Sequence, residues 1–219
     1  MKKKFLIESL IGKVKKIIIS ERKTDKLSLE LSRLVINKFK SKQNISVSDI
    51  YFERGDEYAV FDFTCNFYED ENFEEPFSVN ASGDMENIDI DITFNPNDFP
   101  KSMNDLVAEV KETIEHELEH VEQQNFEDMG AKYEDYGHEH EDDDYNYKYL
   151  TSKNEIPAYV RGLIKRANTK QITLDDAMDE WFKENQRKFG KKSDWVRVKK
   201  VWKKYANRMK EKNKLKKFR

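Results

Sequence analysis

The spacing of apolar residues divides the chain into a helix, a run of strands and then further helices. The first helix is predicted over about 25–41, where apolar residues recur every three or four positions: Leu27, Leu31, Leu34, Val35 and Phe39. Apolar and polar residues then alternate with a period of two, which is typical of strands with one buried face. The strands are expected at 47–53, 58–68, 77–81 and 88–94.

The apolar pattern returns to a helical spacing over about 103–125. The acidic stretch 127–146 resembles a loop, and another helix is expected over 152–166. The segment from Thr173 to Asp176 has the form of a capping box and opens a helix that Gly190 ends. A last, basic helix begins at Ser193. These elements predict an α+β fold with a small, mainly antiparallel sheet of three to five strands.

Charge is distributed unevenly and suggests three parts. Residues 1–42, a basic segment with one helix, hold 13 Lys and Arg against 4 Asp and Glu. Residues 188–219 hold 15 against 2, within a helical and basic extension over 169–219. The intervening core, 43–168, is strongly acidic. Basic ends of this kind can bind nucleic acid or an acidic partner.

Composition restricts the cellular setting. The chain of 219 residues is 37% apolar, 38% charged and 12% aromatic, so disorder throughout is excluded. Its single cysteine, Cys65, permits no intrachain disulfide and reads as a small core residue. No apolar run approaches the ~18 residues of a membrane span. Glu8 and the following lysines interrupt the signal-like start. We therefore expect a cytoplasmic protein without membrane contact.

Residues 116–120 carry the most specific chemical signal. They read H-E-x-x-H, a pattern of zinc-binding helices. Side chains four residues apart share one helix face, so His116 and His120 can bind the same Zn²⁺. Glu117 lies about 100° around the helix from His116. It can therefore stand beside the metal as a general base, and we predict it to be catalytic.

A second motif follows at Glu155-Ile156-Pro157-Ala158, which reads E-x-x-A. H-E-x-x-H followed by E-x-x-A resembles the two ligand-bearing helices of the gluzincin metallopeptidases, the thermolysin-like group. The resemblance covers about 88–165. It implies that Glu155 is the third zinc ligand, that Ala158 lets the two helices pack closely, and that 43–168 is a zincin-like core. It also implies that the strand 88–94 is an edge strand that pairs with an extended peptide substrate.

Other residues compete for roles at this site. His138 and His140 are alternative third ligands by residue type. A metzincin-like arrangement fails, because the position ten residues after His116 is Phe126. Tyr159 lies four residues after Glu155 on the same helix face and is predicted to donate a hydrogen bond to the reaction's oxyanion. The alternative donors are Tyr145, Tyr147 and Tyr149.

Two details complete the expectations for the site. Glu119 departs from the family pattern, which favours an uncharged residue there, and is expected to reach solvent. The histidines need carboxylates to fix their tautomers, and Glu109, Glu112 or acidic residues near 175–180 are candidates.

Three functions compete. The first is a zinc-dependent metallopeptidase that acts on a peptide or protein substrate. The second is a nucleic-acid-associated or assembly protein, because the last helix mixes lysines with Trp195, Trp202 and Tyr205. Those aromatic residues can equally pack on the domain. The third is a binding module that zinc merely stabilises.

Overall fold

The computed structural model describes residues 17–19, 24–54, 57–84, 86–98, 103–126, 145–185 and 192–216. The strands are β1 (Ile17–Ile19), β2 (Ile45–Arg54), β3 (Glu57–Glu69), β4 (Phe77–Gly83) and β5 (Asn87–Phe94). The helices are α1 (Thr24–Phe39), α2 (Met103–Phe126), α3 (Tyr145–Leu150), α4 (Glu155–Lys170), α5 (Leu174–Glu184) and α6 (Lys192–Lys216). The predicted α+β class is confirmed.

The strands form one sheet in the order β1-β2-β3-β5-β4. The sheet is mixed, which refines the expectation of a mainly antiparallel one. β2 pairs antiparallel with β3, and β4 with β5, whereas β1 with β2 and β3 with β5 are parallel. β5 therefore lies between β3 and β4, and β4 forms the edge of the sheet.

The sheet buries one face against α1 and α2. On β5 the side chains of Ile88, Ile90 and Ile92 are fully buried while Asp89 and Asp91 are exposed, as the alternating sequence predicts. The apolar stripes of the two helices cover this face, and we call the result the sheet core. Cys65 belongs to it, and burial raises the pKa of its thiol to about 12, with a further contribution from Asp91. The predicted role of a small core residue is confirmed.

A second apolar cluster, the helical core, is built from α3, α4, α5 and α6. Its buried members include Leu150, Leu163, Met178, Trp181 and Trp202. Thr173 caps α5 through the reciprocal hydrogen bonds of a capping box with Asp176, as predicted. The helical core contains residues from both sides of position 168, where the sequence suggested the end of the metallopeptidase core.

Some predictions differ from the structure or lie outside it. α3 begins at the end of the expected loop and continues into residues that were assigned to no element, and α4 begins at Glu155 rather than near 152. His138, His140 and Gly190 lie outside the described residues. No helix in the described ranges combines the length and apolarity that a membrane span requires.

The backbones of α2 and α4 approach closely at Gly162. A Cβ atom placed on this residue would lie 2.9 Å from the backbone oxygen of Glu112 and 3.2 Å from its Cγ. Ala158, one turn earlier, is fully buried. Small residues on one face of α4 therefore set the distance between the two helices.

We expect Gly162→Ala to destabilise the protein. Overpacking of this kind lowers the free energy of unfolding by about 1–3 kcal/mol, which outweighs the roughly 1 kcal/mol that Ala gains over Gly in helix propensity. Urea denaturation of the metal-free protein measures the change. Asn168→Ala, at an exposed position of the same helix, is the control and should be neutral or slightly stabilising. Equal stability of Gly162→Ala and the wild type would contradict the close approach.

Candidate metal centre

Three side chains from α2 and α4 converge on one point. The Nε2 atoms of His116 and His120 are 3.1 Å apart. Each is 3.5 Å from a carboxylate oxygen of Glu155, His116 from Oε2 and His120 from Oε1. One ligand atom from each residue can be chosen so that all lie within 4.8 Å of one another. The structure thus brings together the three residues that the sequence and the family resemblance proposed as ligands.

Charged pairs hold the two helices in the register that allows this meeting. Acidic residues of α2 face basic residues of α4, with N–O distances of 2.5–3.4 Å: Asp105–Lys170, Glu112–Arg166, Glu115–Lys165 and Glu119–Arg161. Arg166 and Glu119 are almost completely buried. Buried ion pairs contribute little net stability, but breaking one costs about 3–5 kcal/mol. Sliding α4 along α2 would break several of them, so they specify the register.

The Glu155 carboxylate is suited to a cation. Burial raises its pKa, but hydrogen bonding to His120 and the nearby imidazoles outweigh that effect, and the net shift is downward. The carboxylate is therefore ionised. Its buried Oε2 atom has no hydrogen-bond partner among the described residues. A buried, unsatisfied carboxylate oxygen beside two imidazoles is the donor set that Zn²⁺ binds in proteins.

The two imidazoles differ in their electrostatic surroundings. Burial, reinforced by the neighbouring His120, lowers the pKa of His116 to about 3. Burial also lowers the pKa of His120, but the hydrogen bond and charge of Glu155 outweigh it and the net shift is upward. A neutral His116 can donate a lone pair to a metal, whereas the proton that Glu155 favours on His120 competes with metal binding there.

Glu117 lies next to this triad and beneath the end of the edge strand. It is 8% exposed, and burial raises its pKa to about 7 against the opposing attraction of His120. A Cβ atom on Gly83, the last residue of β4, would lie only 2.7 Å from Glu117 Oε2. The missing side chain at Gly83 therefore makes room for the carboxylate beside the strand.

Tyr159, the predicted oxyanion donor, packs its ring against a histidine of the centre and a tryptophan of α6. Its ring lies 4.6 Å from that of His116 and stacks 5.0 Å from that of Trp202. Its hydroxyl is hydrogen-bonded to Tyr149, and Tyr149 in turn hydrogen-bonds to the Glu155 carboxylate. Of the tyrosines considered from the sequence, the structure thus places Tyr149 in hydrogen-bond contact with the ligand set.

The expectation that Glu119 reaches solvent is wrong. It is 3% exposed, and Arg161 of α4 approaches its Oε2 atom to 2.5 Å. Gln123 donates a hydrogen bond of 3.2 Å to Oε1 and another of 3.0 Å to the carbonyl of Asn154. The charge of Glu119 is accommodated inside the motif because Arg161 on the facing helix pairs with it.

Two further expectations need correction. The strand 88–94, expected at the edge, is β5 and lies inside the sheet, because β4 pairs with its outer side. The edge beside α2 is β4. Glu112, one of the carboxylates proposed to fix a histidine tautomer, binds Arg166 at 3.0 Å instead. Gly83 is a neighbour that the sequence left unassigned, since it belongs to no motif, whereas Tyr149 was one of the three alternative oxyanion donors.

Comparison with known proteins adds no identification. No protein-family model, no curated protein and no solved structure matches the chain.

A partly buried carboxylate, Glu109, lies one turn before the ion pair of Glu112. Burial raises its pKa to about 8, and the charges of Glu112 and Glu184 act in the same direction. Arg166 and a hydrogen bond from the Val79 backbone oppose the shift but do not cancel it. The folded protein therefore binds a proton at Glu109 more tightly than the unfolded chain does.

We expect this proton to make stability fall as pH rises. A carboxyl whose pKa rises from 4.5 to about 8 on folding stabilises the fold at any pH below its pKa in the unfolded chain. That contribution is lost as the pH rises from 4.5 to about 8. Glu109→Gln should raise the free energy of unfolding at pH 8 by about 1–2 kcal/mol and change it little at pH 5. Denaturant titrations at both pH values measure this. The exposed Glu86→Gln is the control, and equal pH dependence in all three proteins would refute the assignment.

Proposed function

We propose that this protein is a zinc-dependent peptidase. The observation that carries the proposal is the convergence of His116, His120 and Glu155, from two helices, beside a separate carboxylate, Glu117. Catalytic zinc sites use three protein ligands and leave one position open. The order H-E-x-x-H then E-x-x-A, which resembles the gluzincins, supports the same reading.

The side chains divide the work. His116, His120 and Glu155 would hold the ion, which supplies Lewis acidity to lower the pKa of a bound water and to polarise the scissile carbonyl. Glu117 would accept a proton from the attacking water and return it to the amine nitrogen that leaves as the peptide C–N bond breaks. Tyr159 packs against the His116 ring and restricts its orientation.

The position of β4 favours an extended peptide as substrate. It is one of the two edge strands of the described sheet, and its last residue, Gly83, lies beside the Glu117 carboxylate. Main-chain groups at an open sheet edge can pair with an added strand. A peptide aligned along the end of β4 would therefore present its carbonyl groups near the proposed base.

The test combines metal analysis with peptide cleavage. We expect the purified protein to bind one zinc per chain and to cleave an unstructured protein such as casein. Glu117→Gln should retain zinc and lose cleavage by a factor of at least 10² to 10⁴, the usual contribution of a general base. Absence of stoichiometric zinc from the wild type would refute the proposal.

A matched control comes from the same helix. Glu122→Gln changes a carboxylate five residues away that contacts Arg161 at 3.0 Å, and Arg161 keeps its pair with Glu119, so the variant should keep both zinc and cleavage. Zinc binding that raises the melting temperature without any cleavage would instead indicate a zinc-stabilised binding module.

A second candidate function is contact with nucleic acid or another polyanion through α6. Lys200, Lys204 and Arg208 are exposed and follow one another at four-residue intervals along the helix. None of them pairs with an acidic side chain in the part of the chain that the structure describes, whereas Lys199 and Lys203 pair with Asp179 and Asp175. Side chains four apart on a helix form a row about 6 Å apart.

Base stacking is not part of this second candidate. Trp202 is fully buried, and Trp195 stacks on Phe182 with ring centroids 5.8 Å apart. The alternative that these aromatic residues pack on the domain is confirmed. The remaining interaction is electrostatic and carries no sequence specificity.

We expect binding of a short DNA duplex to weaken steeply with salt. Replacing Lys200, Lys204 and Arg208 together by Glu should reduce the slope of log affinity against log salt by about 2–3, because each phosphate contact contributes about 0.9. Electrophoretic or fluorescence titrations at several salt concentrations measure this slope.

The control changes the same number of charges elsewhere. Lys40, Lys153 and Lys183 are exposed positions on other elements, and their replacement by Glu should leave the slope unchanged. If both triple variants lowered the slope equally, the effect would come from net charge and not from this row of α6. If the wild type did not bind DNA, the candidate function would be excluded.

A further inference from the structure

The C-terminal helix α6 lies outside the segment that resembles the gluzincins, yet its Trp202 reaches the surroundings of the metal centre. The Trp202 side chain is fully buried in the helical core. It contacts two different neighbours of the ligand set, one through its N–H group and one through its ring.

The first contact is a hydrogen bond to the end of α3. Trp202 Nε1 donates to the backbone oxygen of Leu150 at 2.8 Å, and the bond is buried. Leu150 is the last residue of α3, where backbone carbonyls lack partners within the helix. The indole N–H therefore pairs with a carbonyl at the end of the short helix and fixes that helix against α6.

The second contact is aromatic stacking. The Trp202 ring lies 5.0 Å from the Tyr159 ring at an interplanar angle of 16°. Another neighbour of Tyr159 is His116, whose ring lies 4.6 Å from it at an interplanar angle of 72°. The hydroxyl of Tyr159 also bonds to Tyr149. Movement of Trp202 would thus be transmitted to a histidine ligand.

The contact with α3 leads to the proposed third ligand, Glu155. Tyr149 lies on α3, one residue before Leu150, and its hydroxyl bonds to the Glu155 carboxylate. Groups that hydrogen-bond to metal ligands fix their orientation, and their loss typically costs 10–100-fold in metal affinity. A short helix such as α3 has little intrinsic stability, so Tyr149 depends on the anchor that α6 provides.

We propose that Trp202 of α6 is a positioning residue for the metal centre, acting through α3 and Tyr149 on Glu155 and through Tyr159 on His116. The inference rests on the proposed metal centre. It makes the C-terminal helix a structural part of the site, in addition to any contact its exposed face makes.

The test compares two tryptophans of the same helix in the full-length protein. Trp202→Phe keeps an aromatic ring but removes the N–H donor. Trp195→Phe, the matched control, changes a tryptophan that stacks on Phe182. Thermal unfolding without metal gives the general cost of each change, and competition with a chromophoric chelator gives the zinc affinity.

We expect Trp202→Phe to weaken zinc binding by at least about tenfold, as loss of a ligand's hydrogen-bonding support does, and to change the visible spectrum of the Co²⁺-substituted protein. Trp195→Phe should leave both unchanged. Tyr149→Phe should weaken zinc binding similarly, and the double variant with Trp202→Phe should lose less than the product of the single effects. Equal zinc affinity in the two tryptophan variants, or full additivity with Tyr149→Phe, would overturn the inference.

A measurement on the metal-free protein separates this inference from the proposed function. Amide hydrogen exchange in the peptide covering 145–152 should accelerate in Trp202→Phe and not in Trp195→Phe, because only the former releases α3. If the wild type bound no zinc, the proposed function would fail while faster exchange still supported the anchor. Unchanged exchange would overturn the anchor whatever the metal content.

Discussion

The docking of α2 against α4 determines the rest of the structure, because α2 must satisfy two neighbours at once. One face carries the apolar stripe that closes the sheet core, and the other carries carboxylates and imidazoles against α4. Burying so many polar groups is tolerable only when partners meet them. The basic residues of α4 are those partners, and Gly162 lets them come close enough. The same docking that pairs Glu119 with Arg161 carries Glu155 to the two histidines, so the ligand set follows from helix register.

Much of this could be read from the sequence where the signal is periodic or local. The alternation along β5, the stripe along α2 and the capping box at Thr173 each follow from side-chain spacing within one element. The two histidines belong together for the same reason. Strand order could not be read in this way, because the period of a strand does not say which strand lies beside it. The edge was therefore assigned to the wrong strand.

The partners of Glu119 and Leu150 were hidden for a different reason. Arg161 lies 42 positions from Glu119 in the chain, and Trp202 lies 52 positions from Leu150. No motif links residues at such separations, and each alone resembles an ordinary surface cation or a core aromatic. A charged residue inside an apolar motif was itself the available signal for Arg161. Such a residue requires a compensating charge on the facing helix once it is buried, since an unpaired buried carboxylate is costly.

The Oε2 atom of Glu155 connects the packing of α2 and α4 with the proposed metal binding. The helices bring a carboxylate and two imidazoles into a partly buried space, yet leave Oε2 without a hydrogen bond among the described residues. An apolar side chain at this position would carry no such cost. A divalent cation would remove the cost differently, because it would compensate the carboxylate and accept lone pairs from the two imidazoles together. On this view the charge pairs further along α2 and α4 keep the three proposed ligand residues close in the metal-free protein. Binding of an ion would then stabilise the folded state.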